Sequence, residues 1–342
     1  MSSKVLITGC AGFIGFHTSL KFIKKGYNVI GVDNLNNYYD IKLKKKRLEI
    51  LKQQNIKKKC FEFVKLDISN SSSLEKVFKK NNLKFVVNLA AQAGVRYSLI
   101  NPRSYLNTNL VGFFNILDCS NRFKIKHLVY ASTSSVYGAN ENFPLKENKI
   151  ADHPIQFYAA TKRSNEIMAH SYSSIYNLPT TGLRFFTVYG PWGRPDMALF
   201  IFTKKIIQGK KIPLFNHGNH SRSFTYVDDI VGGIFKSTVK IPKEDKLWSS
   251  KYPDPSSSNC PFRILNIGNN KTESLKKYLR VLEENLGKKA KIKNLAIQKG
   301  DIVKTSADLR KINKEVGFFP QTNIETGIKK FVNWYKEYHK VK

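Results

Sequence analysis

The sequence predicts an α/β protein, a doubly wound parallel sheet with a smaller C-terminal lobe. Three observations carry that prediction. Short β-branched or apolar runs alternate with segments of helical length, a glycine-rich turn follows the first run, and the alternation stops after about Arg184. The runs Val5 to Thr8, Val29 to Val32, Phe61 to Val64, Phe85 to Leu89, His127 to Ala131 and Thr180 to Arg184 read as parallel strands buried on both faces. Between them, Pro154 to Tyr176 is the longest helical pattern. Asn101 to Ser120 is the next, with Pro102 near its start, where a missing amide hydrogen does least harm. Beyond Arg184, Gly190, Pro191, Gly193, Pro195, Gly209, Pro213 and Gly218 break the chain into shorter pieces. Phe224 to Thr238 and Phe262 to Ile267 look sheet-like again. The expected division is residues 1–186 as the sheet domain, with 224–268 returning to it, and 187–223 with 269–342 as the second lobe. Pro242 to Pro261, polar and rich in Ser and Pro, reads as a surface loop.

A chain of 342 residues with 41% hydrophobic content can bury a substantial core. The apolar stretch after Met1 to Lys4 is too short for a signal-peptide core, and no uncharged apolar run reaches the roughly 18 residues of a membrane span. A cytoplasmic protein is expected. Cys10, Cys60, Cys119 and Cys260 show neither a CxxC pair nor zinc-site spacing, so reduced thiols and no metal are expected. The formal charge of +33 raises the question of nucleic acid. Lysines are spread along the whole chain, with local runs at Lys44 to Arg47 and Lys57 to Lys59 that lack the aromatic interleaving of a single-strand platform. They read as solvated surface, with no specific nucleic-acid partner expected; weak, salt-sensitive nucleic-acid binding and attraction of an anionic substrate are the other uses open to them.

The turn Thr8-Gly9-Cys10-Ala11-Gly12-Phe13-Ile14-Gly15 follows the first strand and opens a helix. Glycines there allow a tight turn, close approach of backbone to a pyrophosphate and close helix packing, and the helix N-terminus favours the phosphate charge. The second strand ends at Asp33, 24 residues after Gly9, where a carboxylate can accept both ribose hydroxyls and repel a 2′-phosphate. NAD is therefore expected on a Rossmann-type sheet, held by Gly9, Gly12, Phe13, Ile14 and Gly15 at the turn and by Asp33 and Asn34 after the second strand. Asp67 after the third strand is either an adenine contact or a plain helix cap, and Ala90 follows the fourth.

Tyr158 and Lys162 are four residues apart near the start of the long helix, hence on one face. The same spacing occurs in ordinary amphipathic helices. It gains meaning from Ser132 to Ser135 at the end of the fifth strand, where Thr133 can bond a reacting substrate oxygen. A free tyrosine has a pKa of about 10, so a base near neutrality needs it lowered, and Lys162 with a positive nicotinamide ring is expected to do so.

The runs Asn34 to Asp40, Ala90 to Ser98, Asn101-Pro102 and Arg184 to Ala198 resemble those of UDP-glucuronate 4-epimerases, extended short-chain dehydrogenase/reductases that use NAD. The resemblance covers nearly the whole chain and implies Tyr158, Lys162 and Thr133 as catalytic residues. It implies that Arg194 grips the sugar carboxylate, helped by Thr187, where general sugar epimerases tend to carry Asn; a surface-loop arginine is the plainer alternative. It further implies Ser134, Ser135 and Arg96 near the sugar, Arg222 at the diphosphate and Asp301 at the uridine ribose. Gln298 departs from the pattern, because many sugar epimerases have a second phosphate-binding arginine there. The implied reaction is C4 epimerisation of UDP-glucuronate to UDP-galacturonate through a 4-keto intermediate, in a homodimer joined through two long helices. UDP-glucuronate decarboxylase and other UDP-sugar 4-epimerases are the alternatives. Decarboxylases usually have an acid where Ser135 stands, and 4,6-dehydratases an Asp-Glu pair.

Overall fold

The computed structural model describes residues 3–56, 59–297 and 302–341. Strands β1 (Lys4–Thr8), β2 (Asn28–Asp33), β3 (Phe61–Lys65), β4 (Leu83–Asn88), β5 (His127–Thr133) and β6 (Thr180–Phe185) lie parallel. A seventh, Phe262–Ile267, adds to β6, and the sheet order is Phe262–Ile267, β6, β5, β4, β1, β2, β3. The chain starts near the middle, winds outward to β3, then restarts on the other side of β1. A crevice opens where the winding reverses, beyond the C-terminal ends of β1 and β4.

Side chains alternate across each strand, and this decides the layering. Val5 and Ile7 of β1, Val29 of β2, Phe85 and Val87 of β4 and Val129 of β5 join Phe13 and Phe16 of α1 (Phe13–Lys24) and Leu48 of α2 (Ile41–Gln53) in one core. Their sequence neighbours Leu6, Ile30, Val86 and Leu128 join Leu74 and Phe78 of α3 (Ser71–Lys80) and Phe113 and Ile116 of the helix Gly112–Arg122 in the other. The first core runs on into the C-terminal lobe through Phe200, Leu279, Phe331 and Trp334, on the helices Ala198–Ile207, Leu275–Leu286 and Ile324–His339. Short strand pairs complete that lobe: Thr187–Tyr189 with Phe224–Tyr226, Ile212–Phe215 with Ile292–Leu295, and Ser221–Arg222 with Glu273–Ser274.

Three sequence expectations are corrected. Only Phe224–Tyr226 of the stretch to Thr238 is strand, and Val227–Val239 is a helix. Its buried Val227, Ile230, Val231 and Ile234 follow the helical period, and Asp228 and Asp229 in the first turn complement the helix dipole. Second, the helix expected from Asn101 to Ser120 is interrupted: Pro102–Tyr105 leads into a π-turn over Leu106–Val111 before Gly112–Arg122 resumes. The π-turn aims Asn109 inward, where it accepts from Gln92 N at 2.8 Å and donates to Gln92 O and Thr161 Oγ1 at 3.1 Å. Third, Lys44 and Arg47 are buried, so half of that basic run is internal.

The long helix Phe157–Tyr176 is fixed to the sheet by a buried charge. Glu166 pairs in two places with Arg184 of β6, Nε to Oε1 at 2.9 Å and Nη2 to Oε2 at 2.8 Å, and both side chains are wholly inaccessible. Ser132 Oγ donates to Oε1 at 2.6 Å and Arg163 Nη1 to Oε2 at 3.0 Å. Burial pushes the Glu166 carboxyl up, but Arg184, Ser132 and Arg163 outweigh it and hold the group below the usual range. Removing one partner strands the other in the interior. Glu166→Gln is therefore expected to lower the unfolding free energy by about 3–5 kcal/mol in urea titration. A loss of about 1 kcal/mol or less, the scale of a surface pair, would show that the pair does not hold the helix.

Candidate active site

The glycine turn is built on close contact. Gly9 has φ +69°, and a Cβ there would lie 2.9 Å from Ala90 N; a Cβ on Gly15 would lie 2.0 Å from Gly9 O. The Gly12 amide donates to Gly9 O at 2.9 Å. Gly12 caps α1 without any side-chain hydrogen bond, and the first turn carries no acid. The helix amides and dipole thus face the cleft uncompensated, as a phosphate site requires. Thr8 Oγ1 accepts from Ala90 N at 3.1 Å and donates to Asn88 Oδ1 at 2.6 Å, joining the ends of β1 and β4 beneath the turn.

Asp33 ends β2, buried, with Oδ2 accepting from Ala11 N at 3.1 Å and Oδ1 from Leu35 N at 2.8 Å. One further acceptor position on each oxygen suits a ribose diol. Burial raises its pKa, while the two amides, Lys44 and Arg47 oppose the rise. Asp67 accepts from Asn34 Nδ2 at 2.8 Å and from Ser69 N and Oγ at 2.9 and 2.7 Å. Those hydrogen bonds outweigh partial burial and keep its carboxyl below the usual range. Two carboxylates, a glycine cradle and a bare helix N-terminus fit an adenine dinucleotide without a 2′-phosphate.

Across the same cleft of about 410 Å³ lie Thr133, Ser134, Ser135, Tyr158, Lys162, Thr187 and Arg194. Thr133 accepts from Ser135 N at 3.2 Å and is hydrogen-bonded to the Tyr158 phenol. Burial raises the phenol above its ordinary value, and Arg194 and the Thr133 hydrogen bond draw it part of the way back. Among the protein's own cations the one opposing that rise is Arg194, where the sequence pointed to Lys162 together with a nicotinamide ring. Lys162, 2% exposed, is itself lowered to about 8 by burial, against the charge of Glu166 one turn on.

Arg194 sits on a loop tied down from two sides. Arg47 Nη1 donates to Ala11 O at 2.8 Å, and its Nη2 donates to Trp192 O at 2.5 Å. His17 Nε2 meets Pro191 O at 2.9 Å, and burial lowers that imidazole to about 4, so it stays neutral. Trp192, at φ +60°, packs on Phe16, Trp334 and Tyr338.

The family model of GDP-mannose 4,6-dehydratase matches residues 6–331. Protein CapI of Staphylococcus aureus is 52% identical over 98% of this chain and 99% of its own length. A probable UDP-glucuronate 4-epimerase of Rhizobium meliloti is 43% identical over 98% of this chain and 97% of its own. The chain belongs to the UDP-glucuronate 4-epimerase family. The solved UDP-glucuronic acid 4-epimerase of Bacillus cereus, in complex with UDP-glucuronic acid and NAD, superposes with a TM-score of 0.86 at 29% identity, covering 98% of this chain and 99% of that one.

Of the residues that the epimerase-family pattern singles out, Gly9, Gly12, Phe13, Ile14, Gly15, Asp33, Asn34, Asp67 and Ala90 line the cleft with the catalytic group. Arg96 does not line it; the side chain is exposed, with its guanidinium 5.0 Å from the Phe215 ring centroid. Arg222 also lies off the cleft wall, donating to the carbonyls of Ser221, Ile302 and Val303. Gln298 and Asp301 lie outside the described residues. Sequence reasoning missed Glu166, Arg47, Tyr38 and Asp196. Glu166 was detectable as the next turn of the Tyr158-Lys162 face, and Arg47 lay hidden in a run of cations. Gly15→Ala drives a Cβ into backbone that cannot yield cheaply; in this epimerase family a loss of NAD affinity of about tenfold or more is expected by calorimetry. Unchanged affinity would mean that the turn is not the dinucleotide cradle.

Proposed function

We propose that the protein catalyses NAD-dependent C4 epimerisation of UDP-glucuronate to UDP-galacturonate through a 4-keto sugar. The observation that carries this reading is the shared cleft of Tyr158 and Arg194, close enough for the guanidinium to act on the phenol. NAD, when bound, takes the C4 hydride and returns it to the other face of the sugar. Tyr158 removes the C4 hydroxyl proton and gives it back, its phenolate stabilised by the Thr133 hydroxyl and the Arg194 charge. Ser134 and Ser135 add hydroxyls beside the sugar, and neither brings the carboxylate that the decarboxylase and dehydratase patterns place there. Arg194, with Thr187, holds the sugar carboxylate as an anion. This opposes its loss as carbon dioxide from the β-keto acid. Lys162 meets the cofactor beside Tyr158, and Asp33 selects NAD over NADP.

Residues 1–186 with 224–268 form the cofactor-binding part of this reading, and 187–223 with 269–342 the nucleotide-sugar part, with Asp301 at the uridine ribose and Arg222 at the diphosphate, a role for which Arg222 must leave the carbonyls it now binds. The seventh strand beside β6 supports that division. With Cys10, Cys119 and Cys260 buried as thiols, the reading places the enzyme in a reducing cytoplasm. It also makes the enzyme a homodimer through Gly112–Arg122 and Phe157–Tyr176. In support, Phe114, Ile167 and Ile175 on those helices are 47%, 57% and 69% exposed. Light scattering should return twice the chain mass of 39.2 kDa; the mass of a single chain overturns this part.

The activity is tested by incubating the protein with UDP-glucuronate, without added cofactor, and analysing products by chromatography and proton NMR. UDP-galacturonate without carbon dioxide is expected. Tyr158→Phe should lower kcat by about 10² to 10⁴ while NAD remains bound. Formation of UDP-xylose, or no turnover after NAD is supplied, rejects the reading.

A further inference from the structure

The Arg194 guanidinium is already engaged. Its Nε donates to Asp196 Oδ1 at 2.9 Å and its Nη2 to Oδ2, a two-point contact along one edge. Tyr38 OH donates to the same Oδ2 at 3.0 Å, and the Arg194 guanidinium carbon lies 5.9 Å from the Tyr38 ring centroid. Tyr38 is itself held, packed on Tyr97 at 4.8 Å and against Gly94, where a Cβ would come within 2.3 Å of the Tyr38 hydroxyl. Tyr38 and Arg194 line the cleft; Asp196 is absent from its wall.

A guanidinium has two edges that can meet a carboxylate in two places, one made by Nε and an Nη, the other by the two Nη groups. Asp196 takes the first from behind. The second stays open on a side chain that lines the cleft, and Nη1 has no acceptor among the described residues. We propose that Asp196, braced by Tyr38, is a positioning residue that aims the Arg194 end-on edge at the substrate's C6 carboxylate and so sets discrimination between uronic and neutral sugars. The inference rests on the proposed substrate class. Asp196 also carries a negative charge near the incoming carboxylate, an opposing effect. That charge is one third exposed and screened by water, whereas an unbraced arginine must surrender its rotamer freedom on binding. Orientation therefore wins over repulsion.

The test uses the NAD-loaded enzyme and calorimetric titration with UDP-glucuronate, UDP-glucose and UDP. Asp196→Asn should weaken UDP-glucuronate about tenfold, raising KM more than it lowers kcat, and leave UDP-glucose and UDP unchanged. Tyr38→Phe should shift the same ligand in the same direction by less. Three outcomes overturn the inference: unchanged uronate binding, equal weakening of all three ligands, or tighter uronate binding, which would make Asp196 a competitor for the arginine. If the unsubstituted enzyme binds UDP-glucuronate no better than UDP-glucose, the proposed substrate falls with it. If it discriminates and Asp196→Asn discriminates equally, only this inference falls.

Discussion

Four donors converge on one buried carboxylate, and the rest of the site is arranged around that convergence. Glu166 is reached by Ser132 at the end of β5, by Arg184 in β6, and by Arg163 on its own helix. Two strands and a helix are thereby locked at one point, one residue along β5 from Thr133 and one helical turn beyond Lys162. A charge in a dry interior tolerates little misplacement, because any lost hydrogen bond exposes a desolvation cost that nothing else offsets. The demand for geometry imposed by Glu166 is passed directly to Thr133 and Tyr158. Catalytic side chains need positions held to fractions of an ångström, and a charged network meets that need better than apolar packing alone.

The sheet was legible from sequence because each strand had to satisfy two cores at once. Val5 and Ile7 go one way and Leu6 the other, and only a near-continuous apolar run can do this. The glycine turn, Asp33 and the Tyr158-Lys162 pair were legible for a related reason, since each is a local pattern whose spacing is its meaning. What sequence could not give was contact across long separations. Arg47 meets Trp192 and Tyr38 meets Asp196 only after the chain has folded, and nothing in a run of lysines marks the arginine that turns inward. The helix Val227–Val239 was mistaken for sheet because its apolar residues follow a strand without an intervening break. The π-turn at Leu106–Val111 has no signature in residue type. It follows from the demand of the Gln92 backbone for a partner, which Asn109 supplies.

Charge acts on two scales in this molecule. The formal balance of +33 is carried mostly by lysines facing water, and at that range salt screens it. Inside, a few cations do specific chemistry in a poor dielectric. Arg184 holds a helix, Arg194 draws a phenol raised by burial part of the way back, and Lys162 is itself pulled down by burial to about 8. The number of positive charges and their importance are unrelated.

Arg47 gives the two ends of the cleft a common fate. One guanidinium binds the carbonyl of Ala11 in the glycine turn and the carbonyl of Trp192 two residues before Arg194. Any ligand that steadies the first carbonyl steadies the second through a side chain with no room to move. Linkage then runs both ways: the free energy by which a dinucleotide sharpens the sugar site must equal that by which the sugar tightens the dinucleotide. An enzyme that must finish each cycle with its cofactor still in place gains from this symmetry, since the cofactor is held more tightly whenever a sugar occupies its site.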